Sequence, residues 1–367
     1  MKLAIICDDL IQKGGAERVV EAVSDVFPDS PIYTSVASEE WLEKYESKNR
    51  KVITSFLQKF PFSIKLNRYY SPFLFHILAF ESFDLSEFDV VLSISSRYSH
   101  FVITKPETKH ICYINSPGRM FWEPFDYFEH ESFGLLRSLR FLSKPFLKLP
   151  LSYIRLLDLN ASKKVDVFVS NSKTVQKRVK KYYGKDSKVV YPFIDFNSFK
   201  NTNPEDGDYY LVLTRLSSWK RVDIAVSACE DLGEKLKIIG EGPDLDRLRE
   251  LSGLNTDFLG YVSEKEKINV IRKCKAVIIT QKEDFGIVPL EVMACGKPII
   301  AFESGGATET IVRGVTGEFF DDQTSGSLRD VIKSFDTKKY NPTECKNRAS
   351  QFDLNIFINE IKTITSV

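Results

Sequence analysis

The sequence predicts an α/β protein of two doubly wound, Rossmann-like domains. Three observations predict it. Short apolar runs alternate with amphipathic segments along the chain. The runs fall into two sets, and a polar, turn-rich stretch, K-N-T-N-P-E-D-G-D at 200–208, separates them. Such alternation implies parallel sheets with helices on both faces.

In chain order, the first set of expected strands is Leu3–Cys7, Ile32–Val36, Val90–Ser95, Ile111–Ile114, Val165–Val169 and Val189–Tyr191. The second is Tyr210–Leu213, Leu236–Ile239, Ala276–Ile279 and Ile299–Phe302. These sets place one domain at 1–195 and another at 205–345, hinged at the linker. A last helix is expected over about 347–364, with apolar spacing at Phe352, Ile356, Phe357 and Ile361. The tail 346–367 is free to pack on either domain, the first included.

Composition agrees with a globular enzyme-sized chain: 367 residues, 43% hydrophobic, 28% charged and a net charge of +1. So small a net charge gives no global field for nucleic acid. The charge is uneven, however: 133–185 holds 13 Lys and Arg against two Asp. The six cysteines form no C-x-x-C pair and the four histidines do not cluster, which argues against a zinc site. Most cysteines sit in apolar runs and read as buried thiols in a reducing compartment. The opening M-K-L-A-I-I-C-D-D-L reads as a first strand, its apolar part being too short for a signal peptide. No apolar run reaches the length of a membrane span, so a cytoplasmic protein is expected, with a peripheral membrane face in view.

Five segments carry candidate chemistry. Gly14 and Gly15 follow the first strand, and Val19, Val20, Val23, Val26 and Phe27 then show helical spacing. Glycines there let a ligand approach a helix N-terminus, although an ordinary βα turn also explains them. The pattern is not G-x-G-x-x-G, so dinucleotide binding is not supported. After the first strand of the second domain, Arg215 and Lys220 offer a fork and a point charge to a pyrophosphate. A solvated basic loop is the plain alternative.

The third segment, E-D-F-G-I-V-P-L-E at 283–291, joins an apolar run to a helix that tolerates Pro289 in its first turn. Glu283 and Glu291 can accept hydrogen bonds from vicinal sugar hydroxyls. Acids favoured by the helix dipole explain Glu283 better than Glu291. Gly305 and Gly306 form a fourth, Gly-rich turn. The fifth feature is basic and aromatic: 56–80 holds eight Phe and Tyr with Lys59, Lys65 and Arg68, and 133–157 adds Arg137, Arg140, Lys144, Lys148 and Arg155. Such segments suit either an anionic bilayer or core-facing helices with a solvated basic side. No nucleic-acid recognition motif accompanies the charge.

Together these motifs resemble retaining glycosyltransferases of family 4. E-D-F-G-I-V-P-L-E is similar to that family's E-x-F-G-x-x-x-x-E signature, and R-L-S-S-W-K to its R-x-x-x-x-K phosphate clamp. G-G-A-E-R, I-I-G-E-G-P, F-L-G-Y-V, G-G-A-T-E-T and G-V-T-G-E-F-F occur in the expected order. S-Y-I-R-L-L-D, V-S-N-S-K-T-V and K-K-Y-Y-G-K-D-S-K-V-V-Y-P look like the GDP-mannose-dependent, mannosyltransferase-like branch.

The resemblance implies the GT-B fold, two Rossmann-like domains facing across a cleft. It implies a retaining, metal-independent transfer of a hexose from a sugar nucleotide to a lipid-linked or polysaccharide acceptor hydroxyl, in cell-surface glycan synthesis. No cofactor is implied beyond the donor, with GDP-mannose favoured over a UDP-sugar carrying glucose or N-acetylglucosamine. A catalytically silent sugar-nucleotide-binding membrane protein is the rival reading. By resemblance, Arg215 and Lys220 hold the diphosphate, Glu291 the ribose, and Glu283 with Asp284, Phe285, Gly286 and Ile287 the transferred sugar. Gly14 and Gly15 approach the donor, and Tyr261 and Val262 border the base. The branch's H-T-P-x-R-x-x-W-D stands here as N-S-P-G-R-M-F-W-E, so Asn115 replaces its histidine. An amide still donates and accepts, but does not titrate near neutrality.

Overall fold

A computed structural model describes residues 1–70, 74–123, 140–199 and 201–366, without the side chains of 68, 69 and 140–149. It divides into two compact units. The first takes the described residues up to 192 and those from Phe357 onward; the second runs from Phe193 to Ile356.

The first unit holds a seven-stranded sheet in the order β3-β2-β1-β4-β5-β6-β7. The strands are β1 Leu3–Cys7, β2 Ile32–Thr34, β3 Val52–Thr54, β4 Val90–Ser95, β5 Lys109–Ile114, β6 Val167–Ser170 and β7 Ser187–Val189. Every pair is parallel. All residues of β1 and β4 are buried, as a strand with both faces covered requires. The Gly15–Val26 helix turns Val19, Val20 and Val23 inward. The strand order reverses between β1 and β4, and ligands of such sheets bind beyond the strand C-termini at the reversal.

The second unit repeats the plan with six parallel strands ordered β10-β9-β8-β11-β12-β13. These are β8 Tyr209–Leu213, β9 Lys235–Ile239, β10 Thr256–Gly260, β11 Val277–Ile279, β12 Ile299–Phe302 and β13 Gly317–Phe320. Tyr210, Val212, Leu236, Ile238, Ile278 and Ile300 build its core against Ile224, Ala225 and Ala228 of the Val222–Leu232 helix. Here the order reverses between β8 and β11, whose following loops carry Arg215–Lys220 and Glu283–Ile287.

Two local expectations are corrected. Strands β3, β10 and β13, all at sheet edges, are not among the expected apolar runs. Within the linker stretch, Glu205 N–H donates to the Arg272 carbonyl at 2.8 Å, and Lys297 Nζ donates to the Glu205 carbonyl at 2.5 Å. The expected last helix is two, Pro342–Ser350 and Leu354–Thr365. The break arises because backbone at 352–354 pairs with Ile194: Ile194 N–H donates to the Phe352 carbonyl, and Leu354 N–H to the Ile194 carbonyl, both at 3.0 Å.

Candidate functional site

The loop after β8 is held by its neighbour after β9. Leu216 N–H donates to the Glu241 carbonyl at 2.9 Å, and Asp244 N–H to the Leu216 carbonyl at 3.1 Å. Gly240, at φ 141°, lies so close that a Cβ would overlap the Thr214 carbonyl oxygen. Gly240 N–H in turn donates to the Gly260 carbonyl at 2.9 Å. The loops after β8, β9 and β10 are therefore one braced surface. It carries Arg215, which is exposed, and Tyr261, 81% exposed, with half-buried Val262 beside it.

Lys220 closes that loop, and its burial has a specific partner. Its Nζ donates to Glu283 Oε1, and Gln281 Nε2 donates to the same oxygen at 3.2 Å. The Trp219 ring lies under the ammonium at 4.0 Å, a favourable cation–π distance. Thr280 Oγ1 ties the end of β11 to the Lys220 carbonyl at 2.8 Å. Two groups expected on separate loops, the Lys220 cation and the Glu283 carboxylate, thus form one ion pair. An ammonium has three donors, so pairing with Glu283 leaves donor capacity for a phosphate.

Glu283 is set by backbone contact. Gly306 N–H donates to the Glu283 carbonyl at 2.9 Å, and a Cβ on Gly305 would overlap that carbonyl. The Gly305–Gly306 turn is consequently a brace for Glu283–Phe285. Phe285 is buried against Phe352, with ring centroids 5.9 Å apart. Asp284, Gly286 and Ile287 complete the lead into the Val288–Ala294 helix, where Pro289 occupies the first turn.

Glu291, in the same helix, is 5% exposed and has a partner that sequence reading missed. Lys267 Nζ donates to both of its oxygens, each at 3.1 Å. Lys267 sits one turn into the Glu264–Arg272 helix, and only its acid-rich surroundings in S-E-K-E-K hint at the role.

In the first unit, acidic groups follow β1. Asp8 accepts hydrogen bonds from the backbone N–H of Ser96, Arg97, Tyr98 and Ser99 at 2.6–2.9 Å. An internal carboxylate therefore fills the anion-binding turn after β4, and those N–H groups are not offered to a phosphate. Asp9 pairs with Arg97 and accepts from Asn67 Nδ2 at 2.8 Å, while Asn67 Oδ1 lies 2.8 Å from His76 Nε2. Gly14 precedes the Gly15–Val26 helix, and the Glu17 carboxylate folds back beneath it. Burial, reinforced by Asp9, pushes the Glu17 carboxyl up to about 7. Asp8, Asp9 and Arg97 are not among the sequence-derived candidates, although consecutive acids just past a strand end are a signal; Glu17 stands in G-G-A-E-R, with no role of its own read there.

Asn115 follows β5, its Nδ2 donating to Ser96 Oγ at 3.2 Å. The segment beyond it is tightly held. Arg155 Nε and Nη2 donate to the Phe121 carbonyl at 3.0 and 2.8 Å, and Trp122 Nε1 donates to Asp158 at 2.6 Å. Trp122 stacks on Tyr182 at 4.7 Å, and Glu123 accepts from Tyr182 and pairs with Arg178 at 3.1 Å. S-Y-I-R-L-L-D is thus a clamp on this segment, worked by Arg155 and Asp158. Ser95, His100 and Asp158 line up at 2.9 and 3.0 Å, but all are at most 1% exposed, so no substrate reaches them. Among the described residues, no three His, Cys, Asp or Glu side chains are grouped to hold a metal ion.

Residues 193–352 match the family described as "Glycosyl transferases group 1". A glycosyltransferase of Methanocaldococcus jannaschii is 30% identical over 135 residues, 35% of this chain and 38% of that protein. The alpha-1,3/1,6-mannosyltransferase ALG2 of Candida glabrata is 23% identical over 281 residues, 60% of this chain and 61% of its own. The chain thus spans less than two thirds of either relative. Among solved structures, HepE of Anabaena in complex with UDP superposes with a TM-score of 0.71 at 18% identity, covering all of both chains. HepE has also been solved with UDP-glucose.

Proposed function

The chain belongs to the group 1 glycosyl transferases through residues 193–352 and has the GT-B fold; on that premise we propose that it transfers a hexose, with retention, from a sugar nucleotide to an acceptor hydroxyl. The observation that carries this reading is the Lys220–Glu283 pair at the β8/β11 reversal. It puts a fixed cation, on the loop that also bears Arg215, beside a hydroxyl-accepting carboxylate on the loop after β11.

The chemistry follows from what such a site does to charge. As the glycosidic bond breaks, negative charge builds on the leaving diphosphate. Arg215 and Lys220 stabilise it, and the N–H groups leading into the Val288–Ala294 helix add their dipoles. Glu283 orients the sugar hydroxyls and Glu291 the ribose. Retention places acceptor and leaving group on one face, so the leaving phosphate takes the acceptor's proton and no separate side-chain base is required. The cations Arg215 and Lys220 fill the role a metal would otherwise have, consistent with a metal-independent reaction.

GDP-mannose is the favoured donor, supported by the likeness to ALG2 and by the branch-like motifs. A UDP-sugar is the second reading, supported by the likeness to HepE. The acceptor we propose is lipid-linked or polysaccharide, presented at an anionic membrane. Supporting that, residues 47–80 contain no Asp or Glu, and Phe62 is 71% exposed with Phe56, Ile64 and Leu66 also exposed beside Lys59 and Lys65. The basic region around 133–149 lies outside the described side chains.

A thermal-shift panel tests the donor. GDP-mannose, UDP-glucose and UDP-N-acetylglucosamine are compared at saturating concentration, where a ligand at 100 times its dissociation constant adds about 2.7 kcal/mol. GDP-mannose is expected to give the largest shift. Arg215→Ala and Lys220→Ala are expected to lose the shift and about 10²–10³ in turnover. The proposal fails if no sugar nucleotide shifts the protein or if both variants turn over at the wild-type rate. A shift without donor hydrolysis or transfer would instead identify a silent binding protein.

A further inference from the structure

We propose that Lys267 is a positioning residue of the nucleoside subsite, aiming the Glu291 carboxylate at the ribose hydroxyls and so setting the preference for ribonucleoside over 2′-deoxyribonucleoside diphosphates. This rests on the reading of Glu291 given above and goes beyond it.

Lys267 is an uncommon residue for its place. It is 8% exposed on a helix whose other inward residue is the fully buried Ile271. Burying an ammonium costs several kcal/mol unless it is paired and hydrogen-bonded. An apolar residue would fill the same space without that cost.

The pairing is complete and symmetric. Nζ donates to Glu291 Oε1 and Oε2, each at 3.1 Å, and lies 2.7 Å from Glu264 Oε2. Three donors therefore meet three carboxylate oxygens. The equal grip holds the carboxylate head in place and takes one lone pair of each oxygen, leaving the others to accept from ribose hydroxyls.

Charge supplies the second argument. An ionised, buried Glu291 would repel an incoming diphosphate. Lys267 offsets that buried charge, while its other partner, Glu264, is 72% exposed and screened by water, so the repulsion that Glu291 adds at the subsite is reduced.

The helix itself is anchored for the task. Ser263 and Glu266 form a capping box, with Glu266 Oε2 accepting from Ser263 N–H at 2.9 Å, and Lys267 N–H donates to the Ser263 carbonyl at 2.8 Å. Tyr261, proposed to border the base, lies just before that cap. One rigid helix start thus links the base side of the subsite to its ribose side.

The test is titration calorimetry of GDP and UDP, each against its 2′-deoxy counterpart, with wild type, Lys267→Met, Lys267→Arg and Arg215→Ala. Wild type is expected to prefer the ribonucleotide by about tenfold, the worth of a hydrogen bond to a charged group. Lys267→Met should weaken the ribonucleotide to the level of the deoxynucleotide and leave the deoxynucleotide unchanged. Lys267→Arg should restore most of the preference. Equal weakening of both nucleotides by Lys267→Met means a purely structural pair and overturns the proposal; so does an unchanged preference. If Lys267→Met does not fold, as judged by circular dichroism, Lys267→Gln carries the same comparison. Failure of wild type to bind either GDP or UDP would overturn the functional reading itself. Wild-type binding that Arg215→Ala removes, with the preference intact in Lys267→Met, overturns this inference alone.

Discussion

Glu17 shows how much one buried carboxyl can say about pH. Its pKa is raised to about 7 by burial first, with Asp9 pushing the same way. A raised carboxyl favours the folded chain in its neutral form. That contribution is full below pH 4.5 and is lost as pH rises through 7. The shift from 4.5 to about 7 corresponds to on the order of 3 kcal/mol. Glu17→Gln is neutral throughout and is expected to remove the slope. Its unfolding free energy relative to wild type should stay level below pH 4.5, grow in the variant's favour up to pH 7, and level off above. Chemical denaturation of both proteins from pH 4 to 8 checks this; parallel curves would exclude it. The sequence marks Glu17 only as a letter of G-G-A-E-R; its burial, and hence its titration, is not legible there. The same holds for Lys267. Motif spacing marks a residue that faces a ligand, but not the residue behind it, whose role depends on a contact across 24 positions. Arg215 and Glu283 are marked as candidates by their place in the loops after β8 and β11, Lys220 by the spacing of its motif, and Glu291 by standing one turn into the helix that follows.

Among the elements, legibility followed burial. Strands β1, β4 and β12 have the bounds their apolar runs predict, and the other expected strands shift by a few residues. The strands outside the expected runs are edge strands: β3 is half-buried throughout, β10 alternates half-buried with exposed positions, and β13, though mostly buried, is short and begins with Gly317 and Glu318. An edge strand needs only one covered face and one paired side, so its sequence carries little apolar signal. The last helix failed as a single element for another reason, since its break answers to Ile194, far away in sequence. Glycines divide in the same manner. Gly240 and Gly233 both have positive φ, at 141° and 67°. A Cβ on Gly233 would meet nothing within 4 Å, whereas one on Gly240 would enter the Thr214 carbonyl. Gly233→Ala should therefore cost only the left-handed penalty, about 1–2 kcal/mol. Gly240→Ala adds overpacking against backbone, for a total of about 3 kcal/mol or more. It is also expected to displace Arg215 and abolish the donor-dependent thermal shift, which Gly233→Ala retains. Equal melting temperatures and equal shifts for the two variants would show that the β9 loop does not hold the β8 loop.

At the scale of the whole molecule, the two units have the same sheet plan but differ in what they expose. The second unit gathers charged side chains at its strand ends. The first carries an apolar, basic segment at 56–66, with Phe60 as its inner anchor, packed within 5.5 Å of both Tyr70 and Phe75. Phe62 stands outward at φ 52°, a conformation a bulky residue adopts only under constraint. With Phe56, Ile64 and Leu66 it makes an exposed apolar group beside two lysines, the kind of surface an anionic bilayer can cover. Inserted at a bilayer surface, Phe62 contributes about 2 kcal/mol, and Lys59 and Lys65 about 1 kcal/mol each against anionic lipid. No helix among the described residues is long and apolar enough to cross a membrane, so attachment through this segment would be peripheral. A sum of this size predicts weak, reversible and salt-sensitive binding. Flotation with phosphatidylglycerol vesicles should recover the wild-type protein at low salt and lose it at high salt, while phosphatidylcholine vesicles recover little. Phe62→Ser should reduce recovery at every salt concentration. Lys59→Glu with Lys65→Glu should abolish the preference for anionic lipid, because only the lysines distinguish the two surfaces. Equal recovery on both lipids, or none on either, would mean that the segment serves something other than a membrane.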